Sequence, residues 1–461
     1  MKNRLLSSWP GVTTPSGGQA PRRPTPTRHG GPMYFAPDAM KSIGPVLATL
    51  IVLAAAMLGL QTYAPYGSGP ALGIAMGAAS IAAMSVSLML AARPSLAEPL
   101  FGGLDRMYVV HKWLGISALA LMIGHNTIEP ELEGFVRETR TGEFASDLGE
   151  IALNGFIGLL LISWFKRIPF TRLELPWPIW RFSHRFTGLL FAVVAFHQLA
   201  VDKPADLSGA LGLYLNALSL AGIAAWLYTQ FIAPLLRPRS FVVERVERHG
   251  TVAEMTLRPE GRPMHWRPGQ FAFVSATGAG MAEPHPFTIA SAPTADGSLR
   301  FGIKALGGWT RHLPDQLAPG QRIKIDGPYG RFVFRKRVPR QVWLAGGIGI
   351  TPFLAWAESL TDADRQQITL VWAVATRAEA FAAERLASIA ARHPGFTLHI
   401  VASAEDGRLT AQKLAGLAPF ALRDAELFYC GPTGLREAIE SGLKAMGQSP
   451  RRVHAEAFEL R

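Results

Sequence analysis

Two apolar stretches decide the fold of the first half of the chain: YVVHKWLGISALALMIGHNT (Tyr108–Thr127) and SHRFTGLLFAVVAFHQLA (Ser183–Ala200). Each stretch holds two histidines at nearly matched spacing: His111 and His125 in the first, and His184 and His197 in the second. At about 1.5 Å of rise per helical residue, each pair spans roughly 20 Å. That distance places two layers of histidines at two depths of a bilayer whose apolar core is about 30 Å thick.

These four histidines need partners, because an imidazole in hydrocarbon is costly. Haem iron accepts one imidazole on each side, so the spacing predicts two haems in a membrane. His111 and His125 are separated by nearly four full helical turns and share a face, whereas the spacing of His184 and His197 misses a common face by roughly 140°. We therefore expect the second helix to tilt, to deform or to approach the two haems from different sides, with Gly188 as a site of adjustment.

The apolar residues are concentrated in the first half of the 461-residue chain. A run from 42 to 92 holds no charged residue and is broken near Pro65 and Pro70, which predicts a helical hairpin. With the four later stretches the chain has six candidate spans: the two arms of this hairpin, then 108–127, 151–165, 186–200 and 211–236. Residues 1–40, rich in Pro, Gly, Ser and Thr, are expected to form a disordered cytoplasmic tail.

The formal net charge of +12 is distributed as a topology signal. Basic residues precede the first span, lie between the second and third and between the fourth and fifth, and follow the sixth. By the positive-inside rule, we expect both termini to be cytoplasmic. We expect the chain to be a multi-pass protein of the bacterial inner membrane in contact with lipid. This distribution argues against a nucleic-acid partner. The single cysteine, Cys430, excludes an intrachain disulfide.

From Phe241 onward the pattern changes to short alternating runs, which predict a compact antiparallel β-barrel over 238–337. From Gln341 onward strands alternate with helical patterns, which predicts an α/β domain over 338–461. Gly346-Gly-Ile-Gly-Ile-Thr-Pro follows one strand and opens a helix, where backbone amides approach a pyrophosphate. The expected organisation is thus a membrane domain over 41–237, a barrel and a Rossmann-like nucleotide domain.

Three motifs carry a resemblance to a known family. His285-Pro-Phe-Thr-Ile-Ala-Ser, Gly346-Gly-Ile-Gly-Ile-Thr-Pro and Cys430-Gly-Pro occur in the order and spacing of the ferredoxin-NADP reductase superfamily. Joined to six spans with paired histidines, they resemble the ferric reductase and NADPH oxidase family of transmembrane flavocytochromes. The resemblance implies FAD, two b-type haems and NADPH, with NADH as the alternative, as cofactors.

The resemblance also implies residue roles. Thr288 would hydrogen-bond near the reactive N5 of the flavin, Cys430 would lie beside the nicotinamide, and Phe458 would shield the flavin until nicotinamide displaces it. Relatives often place an arginine for the 2′-phosphate at about Ala375, so here Arg377 is expected to reach it instead. The residues expected to bind FAD are His285, Pro286, Phe287, Thr288, Gly308 and Thr310. Those expected to bind the nicotinamide nucleotide are Gly346, Gly347, Gly349, Thr351, Pro352, Arg377, Cys430, Gly431 and Pro432.

These features predict an NAD(P)H-dependent transmembrane oxidoreductase. Electrons would pass from cytoplasmic NAD(P)H through FAD and the two haems to a small-molecule acceptor on the outer face, because a flavin converts a two-electron hydride into single electrons. Oxygen, giving superoxide, and ferric iron are both open as acceptors. Two alternatives stay open as well: an electron-relay subunit that feeds a periplasmic redox partner or a quinone, and a haem-free membrane protein that uses its nucleotide domain as a sensor.

Overall fold

A computed structural model describes residues 43–128, 132, 135–164, 177–204, 209–276 and 282–456. The tail predicted over 1–40 and the expected flavin shield Phe458 lie outside these ranges. The first part of the chain is helical. Its helices are α1 (Ile43–Tyr63), α2 (Ser68–Ala91), α3 (Glu98–Phe101), α4 (Leu104–Ile128), α5 (Arg140–Trp164), α6 (Trp177–His184), α7 (Phe186–Ala200), α8 (Ala210–Leu227) and α9 (Ala233–Leu236).

Five helical segments of the described chain are long and apolar enough to cross a membrane: Ile43–Tyr66, Ser68–Ala91, Leu104–Ile128, Arg140–Ser163 and Ala210–Leu236. The helical hairpin predicted between 42 and 92 is confirmed as α1 and α2. The predicted fifth span is α7, which has 15 residues and is too short to count by length alone. Helix α5 begins before the predicted fourth span. Its first turns precede the apolar run, are exposed, and carry Glu143, Asp147 and Glu150.

The chain breaks between α6 and α7, at Arg185. His184 ends the first of these helices and His197 lies in the second, so the two histidines do not share one straight helix. The second stretch is thus interrupted between its two histidines, whose spacing gives a mismatch of roughly 140° on a single regular helix. At Gly188 a Cβ atom would collide with the Trp226 ring, so glycine at this position allows α7 to approach α8 closely.

Helix α2 lies at the centre of the membrane domain and packs against α1, α4 and α8. Most of its buried residues are alanine, glycine or serine. In lipid, small side chains allow helices to approach closely and gain dispersion contacts. One close approach of backbones is at Gly59 of α1, where a Cβ atom would lie 2.8 Å from the Ala75 Cα.

The second part of the chain begins with a six-stranded antiparallel sheet of order β4-β3-β6-β1-β2-β5. A bridge between Ile289 and Phe301 links the ends of this order, near β4 and β5. Alternating residues such as Phe241, Val243 and Met255 fill its interior. The strands are β1 (Arg239–His249), β2 (Val252–Pro259), β3 (Phe271–Ala276), β4 (His285–Thr288), β5 (Leu299–Lys304) and β6 (Arg322–Tyr329), with helix α10 (Gly308–Gln316) between β5 and β6.

The last part is a five-stranded parallel sheet of order β11-β10-β7-β8-β9 with helices against it. Its core is rich in aromatic residues, among them Trp343, Phe353 and Trp356. The elements are β7 (Arg340–Gly346), α11 (Thr351–Glu358), β8 (Gln367–Val374), α12 (Ala383–Arg392), β9 (Phe396–Ala402), α13 (Ser403–Asp406), α14 (Ala411–Leu417), β10 (Glu426–Cys430), α15 (Thr433–Ala445) and β11 (Arg452–Ala455).

Ion pairs join the strands of the barrel to helices of the nucleotide domain. Arg385 of α12 binds the buried Glu254 of β2 through two hydrogen bonds of 2.8 and 2.7 Å, and its Nη1 lies 3.5 Å from Glu358. Glu358 also pairs with Arg300 of β5. Burial raises the pKa of Glu254, but the hydrogen bonds and charge of Arg385 outweigh burial and hold the pKa below its usual value. The charges are therefore compensated where the barrel meets the nucleotide domain.

Candidate functional site

The four membrane histidines lie in two facing pairs. The ring centres of His111 and His184, the inner layer, are 6.0 Å apart, and their planes are inclined by 75°. The ring centres of His125 and His197, the outer layer, are 6.4 Å apart, with planes inclined by 73°. The fold thus brings together the residues that the sequence pairs.

Backbone carbonyls fix the rings of the outer layer. His125 Nδ1 lies 2.8 Å from the Gly73 carbonyl oxygen of α2, and His197 Nδ1 lies 2.8 Å from the Ala145 carbonyl oxygen of α5. A carbonyl oxygen only accepts hydrogen bonds, so each Nδ1 carries the proton. The Nε2 atom of each ring therefore keeps its lone pair, the form in which histidine binds a metal.

The inner layer adopts the same tautomer through serines. His111 Nδ1 lies 3.0 Å from the Ser87 carbonyl oxygen and 2.8 Å from its Oγ. The Ser163 hydroxyl donates to the Leu159 carbonyl, which leaves its Oγ to accept from His184 Nδ1 at 3.4 Å. All four Nε2 lone pairs are thus available to bind metal.

The sequence pattern did not reveal the glycines that admit the outer rings. A Cβ atom at Gly77 would lie 3.0 Å from His125 Nδ1, and one at Gly149 would lie 2.6 Å from His197 Nδ1. Each glycine stands one turn after the carbonyl that binds the same ring, at Gly73 and Ala145. The signal in the sequence is a small residue followed by glycine four positions later, placed 52 residues before each outer histidine.

The HPFT motif forms strand β4 at the edge of the antiparallel sheet. Trp309 packs against this strand, with its ring 4.5 Å from that of His285 and 5.6 Å from that of Phe287, nearly parallel to the latter. Thr288 is buried, and its Oγ1 has no hydrogen-bond partner among the described residues. An unsatisfied buried hydroxyl favours a bound ligand at this position, because leaving it unpaired costs free energy.

His285 is held in its neutral form. Burial lowers the pKa of its imidazole below the usual value, although the Glu283 carboxylate, 3.7 Å from its Nε2, acts in the opposite direction. A neutral imidazole offers a hydrogen bond rather than a charge to a pyrophosphate.

The glycine-rich turn and the Cys430-Gly-Pro motif meet at the carboxyl ends of the adjacent strands β7 and β10. A Cβ atom at Gly346 would lie 2.7 Å from Pro432 Cδ, one at Gly431 would lie 2.9 Å from Gly346 Cα, and one at Gly349 would collide with the Cys430 carbonyl. Gly347 has a φ of 55°, in the left-handed region that favours glycine. Thr351 and Pro352 follow in the first turn of α11. This edge is where parallel sheets bind nucleotides.

A second group beside Cys430 was not predicted. Burial raises the pKa of the Cys430 thiol well above its usual value, and the Glu456 carboxylate raises it further. Glu456 follows β11, and its Oε2 is buried without a partner among the described residues. Burial raises the pKa of Glu456 well above its usual value, and the charge of Asp105 acts in the same direction. The site therefore contains a carboxyl group whose surroundings favour its protonated form.

Two predicted binding residues have protein partners. The Thr310 hydroxyl oxygen accepts hydrogen bonds from the backbone amides of Leu306 and Gly307, both at 2.9 Å, and so caps α10, which begins at Gly308. Arg377 lies at the carboxyl edge of the parallel sheet, with its Nε 2.8 Å from Glu405 and its Nη2 3.0 Å from Asp406. A nucleotide 2′-phosphate would have to compete with these carboxylates for Arg377.

Comparison with known proteins identifies three segments of the chain. Residues 76–195 match the ferric reductase like transmembrane component, residues 243–333 match an FAD-binding domain, and residues 343–441 match an oxidoreductase NAD-binding domain. The first segment contains His111, His125 and His184, and it ends two residues before His197. The second contains the HPFT motif, and the third contains the glycine-rich turn and Cys430-Gly-Pro.

Individual relatives resemble parts of the chain. The reductase subunit of stachydrine N-demethylase from Rhizobium meliloti is 28% identical over 48% of this chain and 66% of its own length. NADPH oxidoreductase of Mycobacterium tuberculosis is 29% identical over 45% of this chain and 56% of its own length. NADPH oxidase 1 of Mus musculus is 34% identical over 31% of this chain and 24% of its own length.

This chain thus spans about half to two thirds of the length of the first two relatives. The three segments, in this order and with these motifs, are more informative than any one relative. The chain therefore joins a ferric reductase-like transmembrane segment to FAD-binding and NAD-binding oxidoreductase segments.

Proposed function

We propose that this protein passes electrons from cytoplasmic NAD(P)H, through FAD and two b-type haems, to an acceptor on the outer face of the bacterial inner membrane. The observation that carries the proposal is the pair of histidine layers, each with both Nε2 lone pairs available. A metal-bound imidazole nitrogen lies about 2 Å from the metal ion. Two imidazoles bound to opposite sides of one iron therefore have ring centres about 6 Å apart. The separations of 6.0 and 6.4 Å fit that requirement.

His111 and His184 would hold the inner haem, and His125 and His197 the outer one. When bound, flavin and haem supply the conversion of a two-electron hydride into single electrons and their relay. The protein orients these groups. Hydrogen bonds at Nδ1 fix each imidazole and raise its basicity as a ligand.

The soluble residues would position the hydride. Thr288 Oγ1 would bind the flavin near N5, and the close approach of Gly346, Gly349 and Gly431 would admit the nucleotide backbone. Glu456 would hold a proton at its carboxyl beside Cys430. Phe458 would cover the flavin before the nicotinamide binds. The domain limits that accompany this proposal are 1–40, 41–237, 238–337 and 338–461, with both termini cytoplasmic.

The acceptor is tested on the purified protein. Cytochrome c reduction that superoxide dismutase abolishes identifies oxygen, and ferrozine colour that forms without oxygen identifies ferric iron. Activity that requires an added periplasmic protein or quinone identifies a relay subunit.

The haems are tested by a reduced-minus-oxidised spectrum and a pyridine haemochrome assay. We expect two b-type haems per chain, and we expect each of the variants H111A, H184A, H125A and H197A to lose one. His265 is exposed and outside the membrane helices, so H265A is the matched control and keeps both. A well-folded, cofactor-supplied protein without porphyrin would refute the proposal, as would retention of both haems in all four variants.

A further inference from the structure

Arg93 occupies a strained position in the loop between α2 and α3. Its φ is 48°, in the left-handed region that a residue other than glycine seldom adopts. The following Pro94 favours an extended conformation at this position, which adds to the strain. Such a conformation persists where the surroundings fix the residue. The Arg93 side chain is 23% exposed, and its contacts run in two directions.

The first set of contacts is to the membrane domain. Arg93 Nε donates a hydrogen bond of 2.8 Å to the Tyr108 hydroxyl. Tyr108 stands three residues before His111 on α4, so the two side chains lie on the same face of the helix. Their ring centres are 6.4 Å apart in an edge-to-face arrangement. Tyr108 therefore lies in contact with both Arg93 and His111, a histidine of the inner layer.

The second set is to the barrel. The Arg93 guanidinium carbon lies 4.2 Å from the ring centre of Phe273 and 5.7 Å from that of Tyr329. Its Nη1 lies 3.5 Å from Asp326 Oδ2. In the sheet, Phe273 is paired with Pro286, within the HPFT motif. Arg93 thus contacts strand β3, which is paired with strand β4, where the residues expected to hold the flavin lie.

The surrounding loop supports the same contact. Glu98 accepts a hydrogen bond of 2.7 Å from the Gly330 amide. Phe101 and Met107 pack with Phe271, which is paired with Thr288 in the sheet. A buried apolar contact and charged hydrogen bonds therefore hold strands β3 and β6 against the ends of α2 and α4.

We propose that Arg93 is a positioning residue that fixes the flavin-binding barrel against the inner histidine layer and thereby sets the rate at which electrons enter the membrane domain. The inference rests on the proposed function. A bound flavin would accept the hydride of NAD(P)H as two electrons and one proton, would pass the electrons on one at a time, and would release the proton to water. Arg93 itself exchanges neither electrons nor protons. Because electron transfer slows steeply with distance, loosening this contact slows entry and leaves hydride transfer intact.

The test compares Arg93→Asn with the wild type. Asparagine tolerates the left-handed conformation and replaces the guanidinium and its aliphatic stem with a short neutral amide. Stopped-flow absorbance follows flavin bleaching by NADH and then haem reduction. We expect haem reduction to slow at least tenfold in Arg93→Asn, with flavin bleaching within twofold of the wild type. Arg93→Lys keeps the charge without the planar fork and is expected to be intermediate. Tyr108→Phe, which removes one hydrogen bond, is also expected to be intermediate.

Hydrogen exchange supplies a second readout. We expect faster amide exchange over 271–276 in Arg93→Asn, and unchanged exchange in the matched control Arg340→Asn, whose ion pair with Asp424 lies at the opposite, amino-terminal end of β7. Haem reduction as fast as in the wild type, or an equal slowing of flavin bleaching, overturns the inference. A wild type without haem bands refutes the proposed function and with it the role in electron entry.

Discussion

Arg377 shows how a single side chain bears on the choice between NADPH and NADH. Its guanidinium is paired with Glu405 and Asp406 at the carboxyl edge of the sheet. Acidic residues in this part of a nucleotide-binding fold favour a ribose 2′-hydroxyl, and a free arginine favours a 2′-phosphate. Because these carboxylates already pair with Arg377, we expect the protein to prefer NADH to NADPH.

We predict that Arg377→Ala changes kcat/KM for NADPH by less than threefold, because the carboxylates already occupy the guanidinium. The double variant Glu405→Gln/Asp406→Asn should raise kcat/KM for NADPH about tenfold, since each exposed charge near the phosphate contributes about 0.5–1 kcal/mol. Steady-state kinetics with both nucleotides measure the effect, and the NADH values serve as the control. A tenfold loss of NADPH activity in Arg377→Ala alone would contradict this interpretation.

Glu456 links the site to the pH dependence of stability. The pKa of its carboxyl is raised in the folded protein, so folding favours the protonated form. The resulting stability is present below the unfolded pKa of about 4.3 and is lost as pH rises toward the folded value. In Glu456→Gln the side chain cannot ionise, so this loss of stability with rising pH does not occur. Because a tenfold difference in proton affinity corresponds to about 1.4 kcal/mol, the variant should melt a few degrees higher at pH 8.

Thermal unfolding of the detergent-solubilised protein at pH 5 and pH 8 tests this prediction. The gain in Tm should be smaller at pH 5, where less of the carboxyl would ionise in the unfolded chain. A gain of equal size at both pH values would indicate a packing effect instead.

At the scale of elements, α2 and α5 act as supports for the outer histidines. Each helix presents a carbonyl and, one turn later, a glycine against the ring it binds. A methyl group at Gly149 would lie 2.6 Å from His197 Nδ1, closer than real Cβ contacts occur, so the ring must move. Gly77 is less crowded, at 3.0 Å from His125 Nδ1.

We predict that Gly149→Ala loses the outer haem, because displacement of His197 misplaces its Nε2 and breaks the hydrogen bond to Ala145. Gly77→Ala should retain it with a shifted midpoint potential, since tilting His125 changes ligand orientation. Redox titration of the haem bands measures both. Gly158, where a Cβ atom has open space, provides the control variant Gly158→Ala. Two unaltered haems in Gly149→Ala would contradict the assignment.

Elements with a strong local pattern were predictable. The strands β1, β7 and β10 were predicted, because their residues alternate or form short apolar runs between turns. The glycine-rich turn was identified because its glycines are contiguous and stand between a strand and a helix. The pairing of His111 with His184, and of His125 with His197, was predicted because regular helices convert sequence spacing into depth.

Features that depend on distant contacts were not predictable. Strand β11 has four residues and is recognised only beside β10, and the burial of Glu456 depends on that pairing. The break at Arg185 has no proline or glycine to mark it. The carbonyls of Gly73 and Ala145 are 52 residues from the rings they bind, so the small residue and the glycine four positions later acquire a meaning only once the helices are packed together.

At the scale of the whole molecule, the α2–α4 loop constrains membrane topology through its contacts with the barrel. This loop is the segment between the end of α2 and the start of α4, and it includes the short helix α3. Arg93 and Glu98 of this loop bind Asp326 and Gly330 of the barrel, so the loop and the soluble module share one side of the membrane. The turn between α1 and α2 is at the other end of α2, a helix of 24 residues and about 36 Å. If NAD(P)H is bound in the cytoplasm, that turn faces outward.

Single-cysteine labelling tests this arrangement on the full chain. Cys430 is fully buried with a raised thiol pKa, so the wild type is an unreactive background. Ser68 and Ser95 are exposed, at the start of α2 and in the α2–α4 loop. In right-side-out vesicles, a membrane-impermeant maleimide should label Ser68→Cys and not Ser95→Cys, and inside-out vesicles should reverse the result. Labelling of Ser95→Cys in right-side-out vesicles would place the soluble module outside, where no cytoplasmic NAD(P)H could reach it.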